Sequence, residues 1–361
     1  MSNRSVGIIG GYGLTGRIVA QALSRSAGIE IVIGGRDLKK AAAALEGDAI
    51  PSGKAVAVDA FDAESLKGFC RGRDVVINCT GPTCLVQDRI ARTALALGIH
   101  YVDPGGYDAV LNSVRDEASR GQSVVVVSAG LFPGIAELLV QHVSGQLDEI
   151  ERVDLFIEGR SDLSLAVFED MIHYLFPRPT GYFKGGIWTP CSKWSTSSYR
   201  FPDPIGRQSV VPIQWRELER FATQRKPAHL GVNIGTTVPF LLLKGVIPAL
   251  FKNRTRAGAS ILKKLYDRDI ARYRDTYVLV AEAVGKKDRR PRRITGTIVA
   301  TGSDHYFLGA IACVLTARMI LDQDIAPGVR FLADAVEPAS FLERLRDYGL
   351  KFELTVDERG P

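Results

Sequence analysis

A chain of 361 residues is longer than one hydrophobic core usually serves, so two domains are expected. A hydrophobic content of 46% with 24% charged residues is that of a globular protein, which excludes collagen-like, low-complexity and disordered classes. The net charge of +6 is mild over this length; it suits a phosphorylated anion and gives no argument for nucleic acid.

The cysteines Cys70, Cys79, Cys84, Cys191 and Cys313 form no CxxC pair. Reduced thiols are expected rather than a disulfide framework or a zinc site, hence no metal and a cytoplasmic setting. The N-terminus runs directly into a predicted strand, so no signal peptide is expected. The most apolar stretch, residues 238–251, carries Lys244 and Pro248 and is too short to span a bilayer, so no stable membrane insertion is expected. It reads as core or a subunit interface, with a lid over a lipid-like substrate as the alternative.

The first 130 residues alternate strand and helix. Residues 5–10 (SVGIIG) are a strand and 17–24 a helix; 30–34 (EIVIG) are a strand and 38–45 an alanine-rich helix. Strands follow at 55–59, 74–80, 99–103 and 123–128, with helices at 63–69, 87–97 and 109–119 between them. The strands are continuous β-branched runs, as a parallel sheet covered on both faces requires. The expected class is α/β, a doubly wound Rossmann sheet. After Pro133-Gly134 the strands alternate apolar and polar (153–158) and a hairpin is expected from 276–284 and 293–301. These features predict a second α+β domain on a mostly antiparallel sheet. Residues 306–321 and 339–347 read as helices. The expected division is a dinucleotide domain at 1–133, a substrate and dimerisation domain at 134–304, and C-terminal helices at 305–361 returning to the first domain.

The loop Gly11-Tyr12-Gly13-Leu14-Thr15-Gly16 follows a strand and opens a helix, the context a GxGxxG fingerprint needs. Gly11 is assigned the tight turn, Gly13 the close approach of a pyrophosphate and Gly16 helix–strand packing; a turn without ligand is the alternative. The second strand ends Gly34-Gly35-Arg36-Asp37. An arginine here matches a ribose 2′-phosphate, favouring NADPH. Alternatively, Asp37 turns inward to a ribose hydroxyl, or Arg36 is a solvated helix-entry residue. Asp59 ends the third strand and is grouped with the cofactor residues. Thr80, Gly81, Pro82 and Asp103 end the next two strands at the same edge, where ligands of open α/β sheets lie.

Four fragments, GGYGLTGR (10–17), VVINCTGP (75–82), GIHYVDPGG (98–106) and SAGLFPG (128–134), resemble the saccharopine dehydrogenase-like reductases in order and spacing. The segment from Tyr306 onward is also similar, whereas 161–264 carries no shared pattern. The resemblance implies NADPH-dependent reduction of imines formed from amino compounds. Relatives include enoyl reductases and a thiazolinyl imine reductase of enantio-pyochelin siderophore assembly, and the length of this chain is most similar to that last type.

Reduction of an imine needs a hydride held against carbon and a proton delivered to nitrogen. The donor candidates are Tyr107, His173 and His305; His100 and His142 read as structural. The tryptophans with Phe176, Tyr182, Phe183 and Tyr199 line a flat substrate pocket or, alternatively, form core. The basic run at 286–293 reads as a solvated hairpin tip, with docking of an acidic carrier that delivers tethered substrate as the further idea. The resulting expectation is an NADPH-dependent imine reductase acting on a small molecule, a homodimer, with its active site in the cleft between the domains. The alternatives are an opine or saccharopine-type amino-acid dehydrogenase, a C=C reductase and a non-catalytic NADP-binding protein. An amino-acid substrate would need a carboxylate clamp, for which Arg160, Arg178, Arg200 and Arg207 are available.

Overall fold

Short β-branched runs that bury both faces become strands of one parallel sheet, and the helices between them cover it. The computed structural model describes residues 4–48, 50, 53–118, 121–160, 162–192, 195–236, 255–270, 276–302 and 304–358. The apolar stretch 238–251 and Trp194 lie outside the described residues.

In chain order the first elements are β1 (Arg4–Ile9), α1 (Leu14–Ser24), β2 (Ile29–Gly35), α2 (Leu38–Gly47), β3 (Lys54–Ala57) and α3 (Ala63–Cys70). Next come β4 (Val75–Asn78), α4 (Thr83–Val86), α5 (Arg89–Ala96), β5 (His100–Val102), α6 (Tyr107–Ala118), β6 (Val124–Val127) and α7 (Ile135–Gly145). The middle of the chain holds β7 (Glu149–Arg160), α8 (Leu165–Asp170), β8 (Gly181–Lys184), β9 (Ile187–Pro190), β10 (Ser197–Arg200), β11 (Arg207–Pro212), α9 (Glu219–Arg225) and β12 (His229–Thr236). The last part is α10 (Thr255–Ile270), β13 (Thr276–Lys287), β14 (Arg290–Thr301), α11 (Asp304–Leu321), β15 (Gly328–Phe331), α12 (Leu332–Ala335), α13 (Pro338–Arg346) and β16 (Phe352–Asp357).

Two compact units result, Met1–Ile135 with Tyr306–Gly349, and Ala136–His305 with Leu350–Pro361. The first is built on a seven-stranded sheet in the order β15-β6-β5-β4-β1-β2-β3, and its strands pair in parallel. β15 is a seventh strand that the sequence did not suggest, because GVRF is four residues long and carries no periodicity. Its core includes Phe69, Tyr101, Val76 and Val125, all at most 1% exposed. At Gly309 of α11, an added Cβ would lie 3.3 Å from the Leu131 backbone nitrogen, so this helix runs close against the loop after β6.

His100 opens β5, and its Nδ1 accepts the Val124 N–H at 2.9 Å. Burial lowers its pKa from 6.5. The neutral ring is therefore favoured in the folded state, and the stability it contributes above pH 6.5 is lost as pH falls towards the lower folded value. A urea-midpoint series against pH should show that decline, and His100→Asn, whose Oδ1 can accept the same N–H, should flatten it. An unchanged slope in the variant would contradict this account.

The second unit carries a sheet in the order β10-β11-β12-β7-β13-β14-β16, with β8 branching from β12 and β9 pairing with β8. Its pairings are antiparallel except that of β12 with β7. The expected hairpin is present but longer: β13 and β14 pair from Thr276↔Thr301 to Lys287↔Arg290. The tip is only Asp288-Arg289, both with positive φ. The basic run therefore sits at the exposed end of this hairpin as expected, with strand pairing reaching further into it than the sequence suggested. Lys286 pairs with Glu149 at 2.9 Å, Lys287 with Asp148 at 2.7 Å and Arg292 with Glu358 at 3.2 Å. Three of its cations are thus answered within the unit, which weakens an acidic-carrier dock. The aromatics fall mainly to core: Phe176, Phe183 and Trp215 are buried, and Tyr199 stacks on Phe156 at 3.7 Å while its hydroxyl donates to Glu282. Among the described residues no helix is long and apolar enough to cross a membrane.

Candidate functional site

The glycine loop is shaped by backbone contacts. Gly10 N donates to Gly34 O at 2.8 Å and Gly13 N to Gly10 O at 2.9 Å. The left-handed turn falls on Gly10, at φ +80, which corrects the assignment of that role to Gly11. Gly11 is instead required by packing, since a Cβ there would lie 2.5 Å from Ile33 Cβ. A Cβ on Gly16 would collide with Gly10 O and lie 2.8 Å from Gly11 Cα, so helix α1 meets the loop where only glycine fits. Gly13 differs: its Cβ would meet only Gly10 O, at 3.2 Å, and otherwise open space. Gly13 caps α1 without a side-chain hydrogen bond, and the first turn holds no acidic residue. The first-turn N–H groups and the positive end of α1 are thus left for an anion. Leu14 is exposed, Thr15 half-buried, and Tyr12 lies against Gly35, where a Cβ would be 2.9 Å from its Cζ.

At the end of β2 the two readings of Arg36-Asp37 separate. Asp37 caps α2: its Oδ1 accepts the Lys40 N–H at 3.1 Å and Lys40 Nζ lies 3.8 Å from its Oδ2. Its carboxylate serves the helix rather than turning inward. Arg36 is exposed and has no hydrogen-bond or ion-pair partner among the described residues. A guanidinium with five donors, held beside the dinucleotide loop, is the group a 2′-phosphate needs. Asp59 shapes the loop after β3, with its Oδ1 accepting from Phe61 N at 2.9 Å and its own N–H donating to Ser65 Oγ at 3.0 Å. On that loop Phe61 is exposed and the Arg89 guanidinium lies 5.2 Å from its ring.

Asp103 ties the next loops together. It is 3% exposed, and its carboxylate accepts from Asn78 Nδ2 at 2.9 Å, Tyr101 OH at 2.6 Å and Gly105 N at 2.8 Å. Asn78 Oδ1 in turn accepts from Thr80 N at 2.9 Å and Thr80 Oγ1 at 2.6 Å. Ala129 N donates to Asp103 O at 2.9 Å and Ser128 N to Gly105 O at 2.6 Å. The loops after β4, β5 and β6 are thus one hydrogen-bonded assembly. Burial raises the Asp103 pKa, which the donors from Tyr101, Asn78 and Gly105 oppose; burial beside that carboxylate also holds the Tyr101 phenol protonated. Asp103 therefore sets the loop that presents Thr80, Gly81 and Pro82. The sequence places Asn78 at this ligand-bearing edge, and the structure adds its role as the link between Asp103 and Thr80.

The donor candidates fall in different places. Tyr107 opens α6 in the first unit with a left-handed backbone, φ +52, and Ser128 on the neighbouring loop has φ +55. Such strain in non-glycine residues concentrates at functional sites. His173 is exposed on a π-helical turn, Met171–Leu175, in the second unit, edge-on to Tyr174 at 4.7 Å. His305 lies in the first turn of α11, and its side chain is outside the described residues. Sequence reasoning passed over His229, whose Nε2 is 3.2 Å from Asp154 Oδ1 with the Tyr182 ring at 4.7 Å. Asp154 is 75 residues away and comes alongside only through the β7–β12 pairing.

Comparison with known proteins agrees with this geometry. Residues 6–126 match the model of the saccharopine dehydrogenase NADP-binding domain. Saccharopine dehydrogenase (L-Glu forming) from Saccharomyces cerevisiae superposes with a TM-score of 0.73 at 16% identity, covering 98% of this chain and all (100%) of that one. A probable dehydrogenase from Thermotoga maritima gives 0.51 at 10% identity over 96% of this chain and 98% of that one. A "Lipid droplet localized protein" of Caenorhabditis elegans is 23% identical over 431 residues, 98% of this chain and 99% of that protein. The chain thus has the saccharopine dehydrogenase fold, and its first unit is a nicotinamide-dinucleotide-binding domain.

Proposed function

We propose that this protein is an NADPH-dependent oxidoreductase whose hydride acceptor is a C=N bond formed between an amino group and a carbonyl. The observation that carries the cofactor half is the pairing of an open Gly13, at a helix end with no side-chain cap or acidic residue, with the uncommitted guanidinium of Arg36. When bound, NADPH would supply a hydride for the imine carbon, and reduction would be completed by a proton delivered to the nitrogen. The chain's tasks are to grip the 2′-phosphate and pyrophosphate, to hold the loops set by Asp103, and to provide the proton. Tyr107, His173 and His305 remain the donors we propose. The choice of C=N over C=C rests on the likeness to saccharopine dehydrogenase, whose domain model and fold this chain matches.

An amino-acid-derived imine is the acceptor class the arginines favour. Arg160 pairs with Glu158 at 3.3 Å, and Arg178 lies 3.9 Å from Glu217 and 5.2 Å from the Trp215 ring, so both serve the buried interior. Arg200 and Arg207 are exposed and directly opposite on β10 and β11, with Arg207 Nη1 also donating to Ser198 Oγ at 3.2 Å. Like charges facing each other across a strand pair destabilise unless an anion sits between them. A substrate carboxylate meets that need. The thiazoline ring of a siderophore intermediate, free or tethered to a carrier, is a narrower form resting on motif likeness alone.

The test is NADPH oxidation against amine–keto-acid mixtures, cyclic imines including thiazolines, enoyl thioesters and simple ketones. Turnover should be confined to C=N acceptors; turnover of the enoyl or keto compounds alone would overturn the reading. Arg200→Gln/Arg207→Gln should raise KM for a carboxylate-bearing imine by about 10-fold, with kcat and NADPH affinity near wild type. A fall in kcat with KM unchanged would contradict the clamp.

A further inference from the structure

The first unit contains a cavity of ≈ 500 Å³ that the cofactor site does not use. It is bounded by the C-terminal half of α1, by α11 and by Tyr348 after α13. Its α1 wall, Ile18 to Arg25, begins four residues beyond the helix's first residue, Leu14, and extends to its C-cap. At 1.5 Å per residue, Ala22 is about 12 Å along the axis from the helix end that meets the glycine loop. A volume of this size is within the range of small-molecule sites, roughly 300–1,000 Å³.

The lining has two kinds of surface. Ile18, Ala22, Phe307 and Ile311 supply an apolar floor, and Arg25 and Arg318 supply two guanidiniums. Among the described residues no acidic side chain lines the cavity. Arg25 has no ion-pair or side-chain hydrogen-bond partner among the described residues. Arg318 Nη1 donates to Tyr348 OH at 2.8 Å, which leaves that hydroxyl's own proton to donate onward. Two cations beside a phenol, unanswered by any carboxylate and set over an apolar floor, are complementary to an anion with a hydrocarbon body.

We infer that this cavity binds an amphipathic anion, a carboxylate or phosphate ester carried on an apolar chain, at a site separate from the dinucleotide loop. The guanidiniums of Arg25 and Arg318 and the Tyr348 hydroxyl take the head group, and Ile18, Ala22, Phe307 and Ile311 take the chain. The inference is independent of which acceptor receives the hydride.

The experiment is calorimetric titration of the full-length protein, saturated with NADPH, with octanoate, octyl phosphate, octanol and acetate. Octanoate and octyl phosphate should each bind saturably at one site, the tighter of the two identifying the head group. Octanol, lacking charge, and acetate, lacking a chain, should bind at least ~10-fold more weakly. Arg25→Gln/Arg318→Gln should weaken octanoate by ~10-fold or more, and Ala22→Phe should abolish its binding by filling the floor, both with NADPH affinity unchanged as the sign of an intact fold. The inference is overturned if neither anion binds, if octanol binds as well as octanoate, or if both variants leave octanoate affinity where it was.

Discussion

Gly16→Ala should remove measurable NADPH binding, a loss of at least ~100-fold, or about 2.7 kcal/mol. The added methyl would collide with Gly10 O and sit 2.8 Å from Gly11 Cα, and neither backbone atom can step aside as a flexible side-chain tip would. Relief requires α1 to move away from the loop, which breaks the alignment of first-turn N–H groups on which an anion depends. Overpacking of this kind costs roughly 1–3 kcal/mol of stability as well, so the melting temperature should drop by several degrees. Two controls separate the causes. Gly28→Ala places its methyl in open space at φ +77, so it should cost only backbone strain, about 1–2 kcal/mol, and leave NADPH affinity intact. Gly13→Ala should do the reverse: the fold is retained, because only Gly10 O at 3.2 Å is met, while the cofactor is lost to a methyl in the phosphate's path. Retained NADPH affinity in Gly16→Ala would show that the dinucleotide binds elsewhere.

Arg36→Gln should weaken NADPH by roughly 10- to 150-fold, the worth of a charge-assisted phosphate contact of about 1.5–3 kcal/mol. NADH should bind nearly as before, since it has no 2′-phosphate to lose. The complementary change is Asp37→Ala, which removes the acceptor for Lys40 N. It should cost about 1 kcal/mol of stability as a lost helix cap and leave the NADPH-to-NADH preference unchanged. Fluorescence titrations of both nucleotides against the two variants check the pair. An equal loss of both nucleotides in Arg36→Gln, or a selective loss of NADH in Asp37→Ala, would return the ribose-reading role to Asp37.

Much of the first unit was legible because its strands are continuous β-branched runs between glycine-bearing loops, a pattern a covered parallel sheet shares with little else. Boundaries moved where backbone geometry overrode composition. Helix α1 begins at Leu14 rather than 17 because Gly13 caps it, and the helix expected at 87–97 begins at Arg89, after Gln87 takes φ +54. Gly10, which carries the left-handed turn, was invisible as such because GGYG offers two adjacent glycines and sequence cannot say which one turns. The choice between Arg36 and Asp37 was likewise undecided until the Asp37 carboxylate could be seen on Lys40 N. The hub at Asp103 and the Asp154–His229 pair rest on contacts between residues 25 and 75 apart, set by strand register, which spacing along the chain does not reveal. The ion pairs of the basic run were hidden for a related reason. The run's partners Asp148, Glu149 and Glu358 lie far off in sequence and reach it only through the sheet.

The central claim is that this chain carries hydride from NADPH to an imine carbon, and isotope transfer tests it most directly. NADPH deuterated at C4 of the nicotinamide, incubated with the protein and a panel of preformed imines, should yield an amine with deuterium on the former C=N carbon. The label should be absent when Gly13→Ala replaces the wild type. Saturable NADPH binding with no deuterium in any imine product, or deuterium appearing only in an enoyl or keto product, would contradict it.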